Sequence, residues 1–111
     1  MNSCSLIREN GIDVQIKNNS KFPISSVKFY TSEKLTIVKF EKIAPNETVS
    51  KFLSMKDNKL DGSYILEFTR VDGKKDRSVG GYYTNGGSLD KNVKFNIETE
   101  STRAKFSGNE Y

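Results

Sequence analysis

The sequence predicts an all-β fold, a single-domain antiparallel β-sandwich of about eight strands. Apolar side chains alternate with polar ones along most of the chain, as in strands with one buried and one wet face. Gly, Asn, Asp and Pro residues separate these segments at intervals typical of sandwiches and barrels. No stretch of twelve or more residues has helical apolar spacing, and 111 residues suffice for one domain.

The alternating segments define the strands and the core. The predicted strands span residues 11–17, 24–31, 34–42, 47–53, 63–71, 77–84, 91–98 and 102–107. Apolar residues in 34–42 and 47–53 fall on both faces, which predicts bulges or burial on both sides. The inward positions of the regular strands form the predicted core: Val14, Ile16, Val27, Phe29, Leu66, Phe68, Val93, Phe95 and Ile97. Residues 1–10 are expected to be a flexible N-terminal segment, and residues 11–111 the sandwich domain.

Two glycine-containing turns and one other loop are specified by their residue types. Asp72-Gly73 suits a type I′ hairpin turn. Asn85-Gly86, followed by another glycine, predicts a turn at the end of strand 77–84. Residues 54–60 have room for one short helical turn.

The run LDGSYIL, residues 60–66, resembles the tyrosine corner that opens strand F of immunoglobulin-like sandwiches. Tyr64 would be the corner tyrosine, and Leu66 stands where that family has a cysteine. The resemblance implies an immunoglobulin-like or related topology. It implies nothing about function, because one sandwich architecture serves many functions.

The residues that most often perform catalysis are missing or scattered. The chain has no histidine and one cysteine, Cys4, which excludes Ser-His-Asp and Cys-His sites and an intrachain disulfide. Glu98 and Glu100 share a predicted wet strand face and are interpreted as surface charge. Four acids lie in or beside predicted turns, interleaved with lysines, which is a poor pattern for calcium: Asp57, Asp61, Asp72 and Asp76. We therefore expect no enzymatic activity, no cofactor and no metal.

Charge and hydropathy limit the classes of partner that we expect for this chain. The net charge is +4, from 18 basic and 14 acidic residues, without a run of five or six like charges. We therefore expect no nucleic-acid binding. No apolar run approaches the roughly 18 residues of a membrane span. Cys4 leaves open a lipid anchor of the lipoprotein type. The compartment stays undetermined between cytoplasmic and periplasmic, with lipoprotein anchoring as an alternative.

The run GGYYTNGG, residues 80–87, is the candidate interaction segment. Neighbouring strand residues point to opposite faces, so one of Tyr82 and Tyr83 should be buried and the other exposed. Tyrosine beside basic residues is typical of binding hot spots. The candidate partner-binding residues are Arg70, Lys74, Lys75, Arg77, Tyr82, Tyr83 and Asn85. The alternative is an ordinary strand end with one packed tyrosine.

Two functions from different classes fit this sequence. The first is a non-enzymatic protein-binding module, a small inhibitor or immunity-type protein that acts by occluding a partner protein. The second is a structural or surface-anchored, lipoprotein-like domain of an extracytoplasmic assembly. Carbohydrate binding by exposed tyrosines is a third interpretation, which the absence of tryptophan disfavours.

Overall fold

The computed structural model describes residues 10–108 and shows an all-β sandwich of two packed sheets, with no helix in that range. Its strands are β1 (Gly11–Asn18), β2 (Ile24–Thr31), β3 (Ile37–Ile43), β4 (Thr48–Ser54), β5 (Gly62–Thr69), β6 (Lys75–Thr84), β7 (Gly87–Ser88), β8 (Asn92–Ile97) and β9 (Thr102–Ser107). Sheet A has the order β4-β1-β8-β9, and sheet B the order β3-β2-β5-β6-β7. The all-β, two-sheet prediction is confirmed. The predicted flexible segment falls almost entirely outside the described residues.

One strand pair differs from the antiparallel prediction. β1 and β8 run parallel, with Val14 opposite Val93 and Ile16 opposite Phe95. Parallel neighbours need a long crossover connection. Strands β2 to β7 supply it: β2 and β3 lie in sheet B, β4 returns to sheet A beside β1, and β5 to β7 lie in sheet B again before β8.

The strand order does not confirm an immunoglobulin topology. In that family the first strand pairs with the second, whereas here β1 lies between β4 and β8. Nor does Tyr64 make the contact of a tyrosine corner, which goes to backbone shortly before it. Its hydroxyl lies 2.7 Å from the Ser88 hydroxyl instead.

The alternating apolar residues fill the space between the sheets, as predicted. All nine predicted core residues are buried. Tyr64 lies at the centre of an aromatic cluster that joins both sheets. It stacks on Phe29 at 5.9 Å and packs against Tyr83 and Phe106 at 5.5 and 5.6 Å.

The irregularities lie elsewhere than predicted. The ladder between β1 and β4 is continuous, and residues 34–36 precede β3. The bulges are in β2, at Ser26, and in β6, at Gly81; both residues have positive φ. Residues 54–60 contain a turn at 56–57 and no helical turn.

The Asp72-Gly73 hairpin does not have the predicted type I′ turn. That turn needs positive φ at both central residues, and here only Gly73 has it, at +89°. Gly73 N donates to Arg70 O, and Arg70 N donates to Lys74 O, which closes a three-residue loop. A type I turn followed by a left-handed glycine fits this geometry.

Replacing Phe95 with alanine should destabilise the protein by roughly 3–5 kcal/mol through lost burial and a cavity. Phe95 is buried on β8 and meets Phe29 edge-on at 5.7 Å. Urea denaturation measures the loss. The neighbouring exposed Lys94→Ala is the control and should change stability by less than about 0.5 kcal/mol. Equal stability of the two variants would contradict the assigned core.

Candidate functional site

A bulge in the candidate segment determines which tyrosine is buried. Tyr64 faces Gly80 across β5 and β6, but Gly62 faces Tyr83, so β6 carries one extra residue between them. The bulge contains Gly81, whose backbone is in the left-handed region with φ +72°. Regular alternation from the exposed Val79 would turn Tyr82 inward. The bulge reverses this: Tyr82 is 51% exposed and Tyr83 is fully buried.

Only glycine suits position 81. A Cβ there would lie 2.6 Å from the Phe106 ring and 2.8 Å from the Tyr64 ring. The turn that follows is the two-residue loop Asn85-Gly86, with φ values of +50° and +75°. Positive φ at both positions is the signature of the type I′ hairpin turn. The predicted strand end at this turn, and the prediction of one buried and one exposed tyrosine, are confirmed.

The buried Tyr83 hydroxyl belongs to a polar cluster. It donates to Glu33 Oε2 at 2.7 Å, and Asn58 Nδ2 donates to the same carboxylate oxygen at 2.9 Å. The other oxygen, Oε1, accepts from the backbone N–H groups of Lys59 and Leu60. The bond from Tyr83 is the main cause that lowers the pKa of Glu33 below its usual range. This carboxylate therefore fastens the β4–β5 loop to the β2–β3 loop.

Two more side chains hold the end of the sandwich where β1 begins, called the Asn10 end below. Asn10 donates to Met55 O and Gly86 O and accepts from Ser88 N. Asp61 accepts from the Asn85 backbone N–H at 2.9 Å and from the Tyr82 hydroxyl at 3.2 Å. The Asp61 carboxylate raises the pKa of the exposed Tyr82 phenol above its usual value.

The seven predicted site residues do not form one surface. Tyr82, Tyr83 and Asn85 lie at the Asn10 end. Arg70 and Lys74 lie at the opposite end, which we call the Arg70 end, and ten residues of strand advance roughly 30 Å. Lys75 and Arg77 lie between, on the exposed side of β6.

Two of the seven predicted site residues, Tyr83 and Arg70, are held inside the fold and are not available to a partner. Tyr83 has no exposed surface. Arg70 forms an ion pair with Asp76, donates to Glu98 O at 2.9 Å and lies over the Phe68 ring. Its side chain is only 13% exposed. A partner could contact the remaining five without unfolding the chain.

The outer face of sheet B carries a feature that the sequence analysis missed. Cross-strand pairing places Ile37, Tyr30, Ile65 and Val79 side by side on β3, β2, β5 and β6. We call this line the apolar row. Its two outer members, Ile37 and Val79, are 43% and 54% exposed and flank the nearly buried Tyr30 and Ile65. Burial raises the pKa of Tyr30, and the nearby Glu67 carboxylate raises it further.

The sequence contained a signal for this row. Phe29-Tyr30 and Tyr64-Ile65-Leu66 are continuous apolar runs inside otherwise alternating strands. Such runs indicate strands that have apolar side chains on both faces. Which residues become cross-strand neighbours depends on register, which these short runs do not specify.

A different apolar feature lies at the Arg70 end. Phe22, Pro23 and Val71 line a surface cavity of about 320 Å³, with Arg70 in its wall. Phe22 and Val71 are both exposed. The cavity lies between the β1–β2 loop and the β5–β6 hairpin, far from Tyr82.

The described part of the chain offers little for other chemistry. No group of three potential metal-ligating acidic, histidine or cysteine side chains occurs within residues 10–108. A helix of sufficient length and apolarity to cross a membrane is likewise absent from that range. Cys4, the candidate lipid-anchor residue, lies outside it.

The chain is similar in fold to a protein from Eubacterium rectale with an NMR structure. The TM-score is 0.61, with 10% sequence identity over 87% of this chain and 88% of that one. At this identity the likeness concerns the fold alone. No family model matches the chain, and neither does any curated protein.

Gly81→Ala should destabilise the protein more than Gly73→Ala. Both glycines have positive φ, which costs about 1–2 kcal/mol for alanine. A Cβ at Gly73 meets nothing within 4 Å, whereas one at Gly81 collides with Phe106 and Tyr64. Overpacking should add about 1–3 kcal/mol at Gly81 alone. Thermal and urea denaturation of the pair separates the two costs. Equal losses would show that the bulge is not tightly packed.

Glu33→Gln should lower the free energy of unfolding at neutral pH. It should also make that free energy depend less on pH between pH 7 and pH 3. The folded state lowers the pKa of Glu33. Its contribution is therefore complete above the usual value of 4.5 and is lost as the pH falls through the lower folded value. The measurement is urea stability from pH 7 to pH 3. Glu100→Gln, at the Arg70 end, is the control, and an unchanged pH profile in Glu33→Gln would refute the role of the carboxylate.

Proposed function

We propose that this protein is a protein-binding module that uses the outer face of sheet B, and that it acts as a small inhibitor or immunity-type protein by occluding its partner. The apolar row carries this proposal. Ile37 and Val79 expose aliphatic surface at both ends of a line whose centre, Tyr30 and Ile65, is already largely protected from water. Exposed apolar side chains with polar residues around them can mark an interaction site.

The size of the face decides how much of an interface it can supply. Four strands about 4.8 Å apart, and three outward-facing residue rows about 6.7 Å apart through Val79, Arg77 and Lys75, span about 14 by 13 Å. A standard interface buries about 800 Å² on each partner. The face is therefore the centre of an interface, and neighbouring residues must extend it. Tyr82, Leu35 and Leu60 are exposed at the adjoining Asn10 end and are placed to do so.

This surface revises the segment predicted from sequence. Lys75, Arg77 and Tyr82 remain in it, since all three are exposed along β6. Lys74 lies in the hairpin loop at the Arg70 end, and Asn85 in the turn at the Asn10 end. That the chain is not an enzyme stays a prediction. The alternative of a surface-anchored domain rests on Cys4, which lies outside the described residues, on the Asn-, Ser- and Thr-rich faces and on the sandwich fold.

Val79→Glu should abolish partner binding while Val71→Glu leaves it unchanged. Both valines are exposed, but Val79 lies in the apolar row and Val71 beside the cavity at the Arg70 end. The experiment captures proteins from the native host with wild type and both variants, identifies them by mass spectrometry, and titrates the purified partner. A partner lost only with Val71→Glu would move the site to the cavity. A partner held equally by all three would refute both surfaces.

Tyr82→Ala should weaken that binding by about 2 kcal/mol, the size of a hot-spot loss, without lowering the melting temperature. Tyr83→Ala should instead lower the melting temperature, because it opens the core beside Tyr64 and removes one of the four hydrogen-bond donors to Glu33. Titration of each variant, beside a thermal melt, checks both results. Wild-type affinity in the folded Tyr82→Ala variant would exclude Tyr82 from the interface.

A further inference from the structure

We infer that the partner presents an acidic protein surface, in which carboxylates flank apolar side chains. This rests on the proposed function and specifies the chemistry of the surface that the outer face of sheet B recognises. The evidence is the arrangement of charge on that face. Rows of charged and polar side chains continue from the apolar row toward the Arg70 end.

Cross-strand pairing defines two basic rows. The first is Lys39, Lys28, Glu67 and Arg77, and the second is Lys42, Ser25, Thr69 and Lys75. Together they hold five cations and one carboxylate. That carboxylate, Glu67, lies 3.4 Å from the Arg77 guanidinium. The basic rows therefore keep a large positive excess.

Two other acids lie on these four strands. Asp76 is part-buried in its ion pair with Arg70, on the other side of β6. Glu41 lies on the edge strand β3, opposite the bulge at Ser26. The whole chain has a net charge of only +4. The two basic rows alone carry a net charge of +4, so the charges of the rest of the chain cancel one another.

This charge selects among the occupants that an apolar face could accept. A second copy docked through the same face with its strands in the same direction would bring the basic rows of both chains near each other, and like charges across an interface cost several kcal/mol. An acidic surface gains the same interactions with the opposite sign, and it is steered to the face at long range.

The apolar row argues for a protein instead of a phosphate polymer. Proteins that bind single-stranded nucleic acids stack the bases on exposed aromatic rings. The aromatic member of the row, Tyr30, is only 6% exposed, and the exposed members are Ile37 and Val79. Aliphatic side chains beside the two basic rows complement a protein surface in which Leu, Ile or Val alternate with Asp or Glu.

The test selects peptides from a random displayed library against the immobilised full chain. We expect the selected peptides to combine Asp or Glu with aliphatic or aromatic residues. NMR amide shifts of the 111-residue protein should change around the apolar row. Lys28→Glu should weaken binding at least tenfold, and raised salt should weaken it as well. Lys94→Glu, exposed on sheet A, is the matched charge control and should bind as wild type does.

Each result decides the inference. Peptides that perturb the apolar row without acidic enrichment, and that tolerate Lys28→Glu, would overturn the acidic partner and leave the proposed function standing. If acidic peptides bind elsewhere, or no peptide binds, the inference fails. Tighter binding of a 20-base-pair DNA duplex or of phosphatidylserine vesicles, lost in Lys28→Glu, would replace the acidic protein with a phosphate-bearing partner. The proposed function fails separately if the native partner is retained by Val79→Glu.

Discussion

The register shift at Gly81 is the constraint on which the candidate surface depends. One extra residue on β6 sends Tyr83 into the core and Tyr82 to the surface. The inward tyrosine completes the aromatic cluster around Tyr64 and reaches Glu33. Because the Phe106 and Tyr64 rings occupy the space where a side chain at position 81 would lie, the bulge and the cluster support each other.

The same shift gives the outer face of sheet B its pattern. On the N-terminal side of the bulge, β6 alternates regularly, and Val79 and Arg77 pair with Ile65 and Glu67 of β5. On the C-terminal side of the bulge, Tyr82 points outward and extends the apolar part of the face toward the Asn10 end. The segment of two glycines and two tyrosines thus shapes the outer face mainly through register. Its backbone geometry decides which neighbouring side chains are displayed together.

Local patterning predicted the parts of this structure that depend on neighbours in sequence. Alternation identified core residues such as Phe95 and Leu66, and it required one buried and one exposed tyrosine. It could not say which, because that depends on the packing of Gly81 against Phe106, 25 residues away. The parallel pairing of β1 with β8 and the apolar row were missed for the same reason. Both are products of long-range register, which short alternating segments leave open.

The Asn10 end shows why such a face could bind tightly for its size. Glu33, Asn10 and Asp61 each accept or donate across loops that are distant in sequence, and together they hold the β2–β3, β4–β5 and β6–β7 connections. Loops held in this way lose little conformational entropy on association. The strands below them are fixed by their ladders. The apolar and basic rows are therefore in position before any partner binds, so under the proposed function affinity would depend on complementarity, with little offset from ordering the chain.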